Sequence, residues 1–171
     1  TPYSMLIRQG GTIELLQRML ASYMLPELLI EPTSTQTLIF DEYNKLFRKP
    51  TSFIIFTMEP LAGPAMMVIE TELTFSLIDS MMGGPGTPFV MKRDFTLLEK
   101  RLIGRFAQDV LKLLEQSWSM ILPVHIAVKS QESNPEYIHI YNNKETVKVV
   151  QFSVTTREVT GSIHLCMSNL M

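Results

Sequence analysis

The chain has 171 residues, 46% of them hydrophobic and 19% charged, and a net charge of -2. That is apolar material enough for one compact domain with a sizeable core, and the weak acidity without like-charge runs argues against binding nucleic acid or a membrane surface by bulk electrostatics. The lone cysteine, Cys166, excludes an internal disulfide framework and fits a reducing compartment, and the longest apolar runs fall short of a membrane span.

Residues 1–11 carry no clear pattern before Gly10-Gly11 breaks the chain, and no signal peptide is visible, so the start reads as that of an excised segment. A helix is predicted over Thr12 to Met24: Thr12 suits the N-cap, Glu14 its positive end, and Ile13, Leu16, Leu20 and Met24 form one stripe ended by Pro26. Leu28 to Ile30 reads as a short strand stopped by Pro32. Thr37 to Phe47 reads as a second helix, with Phe40, Tyr43 and Phe47 at helical spacing.

Ser52 to Met58 and Ala65 to Glu70 read as an antiparallel hairpin around the turn Glu59 to Pro64. A helix follows from about Glu72, with Leu73, Leu77, Ile78 and Met81 on its apolar face and Asp79 and Ser80 on its polar one. It runs into Gly83-Gly84-Pro85-Gly86. One of the two leading glycines can adopt the left-handed conformation that ends a helix, and Pro85 forbids continuation. This knuckle is not a phosphate loop, because no Gly-Lys-Ser/Thr follows and the glycines close a helix rather than open one. By itself it reads first as a helix stop.

Thr96 and Glu99 have capping-box spacing and open the longest helix, to about Trp118. Its predicted stripe is Leu98, Leu102, Phe106, Val110, Leu113 and Ser117, broadened by Ile103, Ala107, Leu111 and Leu114; Arg105 and Asp109 are spaced to pair. Strands are predicted at Val124 to Lys129, around Ile138 and Ile140, at Val147 to Val154 and at Val159 to Met167. Asn134-Pro135 turns the chain, and Asn142-Asn143 supplies a hairpin turn. The sum is antiparallel sheet covered by helices in layers, in two halves with the glycine knuckle between them.

Few residues point to chemistry. His125, His139 and His164 fall in separate predicted strands, each on the face opposite the apolar positions, without a third ligand at metal spacing, so neither a metal nor a cofactor is expected. Cys166 lies on the His164 face, but no oxyanion site accompanies it. Asp79 and Glu99 read as solvated helix-face carboxylates, and no catalytic residue is assigned.

The segments SFIIFTMEPLAGPAMMVIE, LTFSLIDSMMGGPG, DFTLLEKRLIGRFAQDVLKLLEQSW and SQESNPEYIHI resemble the middle domain of the flagellar motor switch FliM family. The shared features are Met58-Glu59-Pro60-Leu61 with Gly63-Pro64-Ala65, the helix ending in Gly83 to Gly86, Thr96 with Glu99, and Asn134-Pro135, over about residues 35 to 167. The resemblance implies a three-layer α/β/α CheC-like fold with pseudo-two-fold symmetry and a largely antiparallel sheet, spanning residues 1–171 as one domain. It implies a non-enzymatic scaffold of the cytoplasmic ring at the flagellar basal body. That scaffold would bind FliG through Gly83, Gly84, Pro85 and Gly86, with Met81, Met82, Pro88 and Phe89 as adaptable apolar surroundings, and neighbouring FliM copies laterally. Gly84→Asp is then expected to weaken FliG binding without harming the fold. Phosphorylated CheY and FliN would be reached mainly through an N-terminal segment and a C-terminal domain not among these residues. Residues 2–6 resemble the segment after the family's last strand. The alternative is a CheC-like phosphatase acting on phosphorylated CheY. Such enzymes pair an acid with an asparagine one helical turn away, whereas here Met82 and Gly83 follow Asp79, and Leu102 and Ile103 follow Glu99. A small-ligand site at the knuckle is a third reading.

Overall fold

A computed structural model describes residues 12–23, 25 and 27–169. In chain order the elements are α1 (Thr12–Ala21), β1 (Leu29–Ile39), α2 (Phe40–Asn44), β2 (Ser52–Glu59), β3 (Pro64–Ile69), α3 (Thr71–Met81), α4 (Leu97–Trp118), β4 (His125–Glu132), a 3-10 turn (Pro135–Tyr137), β5 (Thr146–Thr155) and β6 (Thr160–Ser168). The strands form one sheet in the order β1-β5-β6-β3-β2-β4, every neighbouring pair antiparallel.

The near-continuous apolar runs of β2 and β3 follow from their central place, since both of their faces are covered. Ile54, Phe56 and Met58, with Ala65, Met67 and Ile69, point into a core shared with α1, α3 and α4. Phe53, Ile55, Met66 and Val68 point the other way, into a smaller core closed by Phe40 and Tyr43 of α2 and by Ile138 and Tyr141. The architecture is therefore three layers, one of them thin: three helices, the sheet, and a short helix with an irregular segment.

The strand order is symmetric. β3 and β6 pair at the centre, β2 and β5 flank them, and β4 and β1 form the edges. Each half of the chain runs helix, strand, short turn, then hairpin (α1-β1-α2-β2-β3 and α4-β4-3-10 turn-β5-β6). The first strand of each half lies against the hairpin of the other: β1 on β5, and β4 on β2.

Several expectations change. β1 does not stop at Pro32. It continues to Ile39 with an irregularity between Pro32 and Ser34, which an edge strand tolerates because its outer N–H groups need no partner. The predicted second helix thus shrinks to Phe40–Asn44. Its aromatic spacing is real, with Phe40 and Tyr43 buried. Residues 138–141 are no strand: Asn134 caps the 3-10 turn, its side chain accepting from the Glu136 amide at 3.0 Å, and beyond it the alternation breaks, with Ile138 and Tyr141, three apart, both in the smaller core and Ile140 packed partly against it. Asn142-Asn143 accordingly leads into β5 without forming a hairpin. On α4 the buried stripe is Glu99, Ile103, Phe106, Ala107, Val110, Leu111, Leu114 and Trp118, one residue round from the predicted one, so Leu98 is 55% exposed. Asp109 accepts from the Tyr23 hydroxyl at 2.5 Å rather than pairing with Arg105. Expectations for residues 1–11, including the resemblance of 2–6, and for Met24 and Pro26 lie outside the described residues.

Candidate functional site

α3 carries the glycine knuckle, and its sequence explains how firmly. Leu73, Phe75, Leu77 and Ile78 are buried, and so are its hydroxyl residues Thr74, Ser76 and Ser80. A buried hydroxyl needs a partner, and each has one. Thr74 Oγ1 donates to Ile69 O at 3.2 Å. Ser76 Oγ donates to Gly86 O at 2.5 Å. Ser80 Oγ donates to Tyr23 O, tying the end of α3 to the turn that follows α1.

The helix ends in a Schellman arrangement. The Gly83 amide donates to Ser80 O at 3.0 Å and the Gly84 amide to Asp79 O at 2.8 Å. Gly83 takes φ +96°, the conformation glycine supplies without strain. The loop then folds back over Asp79, whose Oδ2 accepts from the amides of Gly86 at 2.9 Å and Thr87 at 3.0 Å. Gly84 is glycine for a different reason: a Cβ there would lie 2.5 Å from Asp79 Oδ2 and 2.6 Å from Oδ1.

Asp79 is therefore not a solvated helix-face carboxylate but the support on which the knuckle rests. Sequence reasoning missed this role, and the signal for it was an acid four residues before a Gly-Gly pair that ends a helix. A side chain at 84, as in Gly84→Asp, must displace the Asp79 carboxylate, so that substitution would disturb the loop's support as well as its surface.

With its inner side satisfied by α3, the loop presents Met82 (62% exposed), Gly83, Pro85 and Thr87 outward. Gly86 is buried, and Gly84, Met81, Pro88 and Phe89 are half-buried. Phe89 packs on Phe75 at 5.3 Å between ring centroids, and Met81 and Phe89 both lean on the main core. Of the eight residues singled out, the structure gathers all in one loop but turns only Met82, Gly83 and Pro85 fully to solvent.

The return to α4 is equally fixed. Glu99 closes the capping box, its carboxylate accepting from the Thr96 amide at 2.8 Å while Thr96 Oγ1 accepts from the Glu99 amide at 3.1 Å. It also takes a two-point contact from Arg93, at 2.8 and 3.2 Å. That contact holds the buried Glu99 carboxyl below the usual carboxylate range, burial opposing and the Thr96 amide assisting. Burial pushes the Asp94 carboxyl up, but hydrogen bonds from Ser133 and the Phe95 amide, with Lys100, bring it below its ordinary value.

The titratable groups outside the loop do not converge on a reaction centre. His125 is exposed and 3.9 Å from Glu115, and His139 lies in an irregular segment. His164 is not on a polar strand face. It is buried, with Nδ1 2.8 Å from the Tyr43 hydroxyl and Nε2 3.0 Å from Glu70. Cys166 is buried in the smaller core, where burial pushes its thiol far up. Among the described residues no three metal-ligating side chains come together, and no helix is long and apolar enough to cross a membrane.

The layers and symmetric sheet are a CheC-like α/β fold: a CheC-like superfamily protein from Shewanella superposes with a TM-score of 0.59 at 14% identity, over 91% of this chain and 94% of that one. Much closer in shape are the FliM middle domain of Vibrio alginolyticus (TM-score 0.84, 22% identity, 98% of this chain and 94% of that one) and a chain of the FliG-FliM complex from H. pylori (TM-score 0.86, 23% identity, 95% and 88%). The chain belongs to the family of the flagellar motor switch protein FliM, whose model matches residues 12–171. The Pseudomonas aeruginosa flagellar motor switch protein FliM is 29% identical over 133 residues, 77% of this chain and 41% of that protein. The chain spans about two fifths of the length of the curated relatives it matches.

Proposed function

We propose that these residues form one domain, a non-enzymatic docking module of the motor switch whose Gly83–Gly86 loop binds FliG. In this reading neighbouring copies pack laterally into a ring on the cytoplasmic side of the basal body and relay the chemotaxis signal to the direction of rotation. FliN and phosphorylated CheY are reached mainly through other parts of the longer protein. The observation that carries the reading is the loop itself, in a chain of this family. Every inward hydrogen bond of the loop is made by α3, which leaves a rigid surface of backbone, Met82 and Pro85. Low bulk permits close approach, and a loop already fixed loses little entropy on binding. The complex from H. pylori, a protein of the same fold, is one of FliM with FliG. The phosphatase alternative is weakened because neither long helix, α3 or α4, contains an asparagine; Asp41 and Asn44 stand one turn apart on short α2, but Asn44 Nδ2 donates to Pro135 O at 2.7 Å.

The test is calorimetric titration with the FliG middle domain. The present sequence should bind saturably, and Met82→Glu should weaken binding about tenfold or more while the protein stays folded. Met82 is the better probe because it is exposed and supports nothing. Undiminished affinity in folded Met82→Glu moves docking off the loop, and no binding by the present sequence overturns the reading.

A further inference from the structure

Beside the segment that leads away from the knuckle lies a hollow of about 500 Å³, between residues 48–50, the start of α3, and residues 90–94. Val90 and Met91 line it and are 51% and 45% exposed. Around them stand the exposed side chains of Arg48, Lys49 and Lys92. Among the described residues none of these three cations makes an ion pair. The fourth cation, Arg93, is committed to Glu99. Of the two carboxylates in the lining, Asp94 is held by Lys100 at 3.4 Å and by Ser133 at 2.6 Å. That leaves Glu72 alone against three free cations, in a chain whose net charge is -2. Arg48, Thr71 and Glu72 also line a second hollow, of about 450 Å³, so the two adjoin along the start of α3.

One wall, and the end of the other, are tied to the fold. Thr71 Oγ1 donates to Pro50 O at 2.7 Å and lies 3.3 Å from Thr51 Oγ1, which pins the 48–50 segment to α3. The end of the opposite wall is held by the Arg93–Glu99 contact and by Asp94 accepting from the Phe95 amide at 2.8 Å. A groove whose walls need little ordering keeps more of the interaction energy as affinity. Isolated surface lysines would be unremarkable, but free cations flanking exposed Val90 and Met91 on a fixed frame make a surface of one kind, apolar in the middle and cationic at the rim.

We propose that this groove is a second docking surface, distinct from the glycine knuckle, and that it takes an acidic segment of a partner protein that also carries apolar side chains. The apolar groups seat on Val90 and Met91, and the carboxylates meet Arg48, Lys49 and Lys92. Charge complementarity speeds encounter and fixes register, while the apolar contact slows release.

The test uses a fluorescein-labelled peptide of about ten residues alternating Glu and Leu, titrated with the protein and read by anisotropy. A Glu-only peptide and a Lys-Leu peptide of the same length serve as controls, with phosphatidylglycerol vesicles as a separate arm. The Glu-Leu peptide should bind saturably, with the Glu-only peptide weaker and the Lys-Leu peptide unbound. Lys49→Glu with Lys92→Glu, and separately Val90→Ser with Met91→Ser, should each weaken binding about tenfold or more. Lys112→Glu, on the exposed face of α4, should change nothing. No saturation, equal binding of the Glu-only peptide, insensitivity to both double substitutions, or binding to vesicles alone would each overturn the proposal.

Discussion

Gly84 and Asp79 should be energetically coupled, and the structure says by how much. In Gly84→Ala the new Cβ would stand 2.5, 2.6 and 2.7 Å from Oδ2, Oδ1 and Cγ of Asp79, well inside van der Waals contact. The carboxylate must swing away and give up the amides of Gly86 and Thr87. Hydrogen bonds to a charged acceptor contribute about 1.5 to 3 kcal/mol each, and partial solvent access at the loop reduces that, so the pair together is worth about 2 kcal/mol. Asp79→Ala should cost that amount, and Gly84→Ala about 1 to 2 kcal/mol. In the double variant the clash is gone. Gly84 does not sit in the left-handed region, so alanine there should even recover about 0.4 to 1 kcal/mol through the unfolded chain. The double variant should therefore be no less stable than Asp79→Ala alone, a coupling of about 1 to 2 kcal/mol. Urea unfolding of the four proteins at constant m measures it, and amide exchange at Gly86 and Thr87 should quicken in all three variants. Additivity of the single effects within about 0.5 kcal/mol would refute the reasoning.

Three further outcomes rest on packing and charge. Phe106→Ala empties a site 1% exposed in the main core and should cost about 3 to 5 kcal/mol in urea unfolding; near-wild-type stability would contradict its place in the α4 stripe. Tyr43→Phe strands Nδ1 of buried His164 and should cost about 1 to 3 kcal/mol, measured the same way. Because the folded pKa of Glu99 is depressed, its stabilisation is full above the unfolded value of about 4.3 and fades as pH falls through the folded one. Glu99→Gln should thus be less stable than the parent near neutrality, and the gap should close in acid. A gap independent of pH would show that ionisation of Glu99 contributes nothing.

The elements that could be read from the sequence were those whose causes are local. The hairpin of β2 and β3, the Thr96–Glu99 capping box and the length of α4 depend on neighbours a few residues away. Gly83 as a helix stop was legible for the same reason. β1 was not, because what makes Thr33 to Ile39 a strand is a partner, β5, more than a hundred residues on, which overrode an apparent helical spacing. The alternation around Ile138 and Ile140 misled, since the segment is irregular and the residues it buries are Ile138 and Tyr141, three apart. Within the site, the glycines could be seen but not what they accommodate. Asp79 belongs to the polar face of its helix by periodicity, and only the return of the chain over it makes it the loop's anchor. His164 was likewise misplaced, because a buried imidazole with two partners has no signature of its own in a strand.

The crossed edge strands have a mechanical consequence. Each half of the chain closes its neighbour's sheet rather than its own, as two arms do when folded across one another. Pulling the halves apart would mean shearing β1 from β5 and β4 from β2 along with the central pair of β3 and β6, and not merely stretching the link at residues 82–96. A load that pulls the two halves apart is therefore taken up by the sheet from the outset. The link itself is spared tension, and a cut within it would leave two fragments still clasped together.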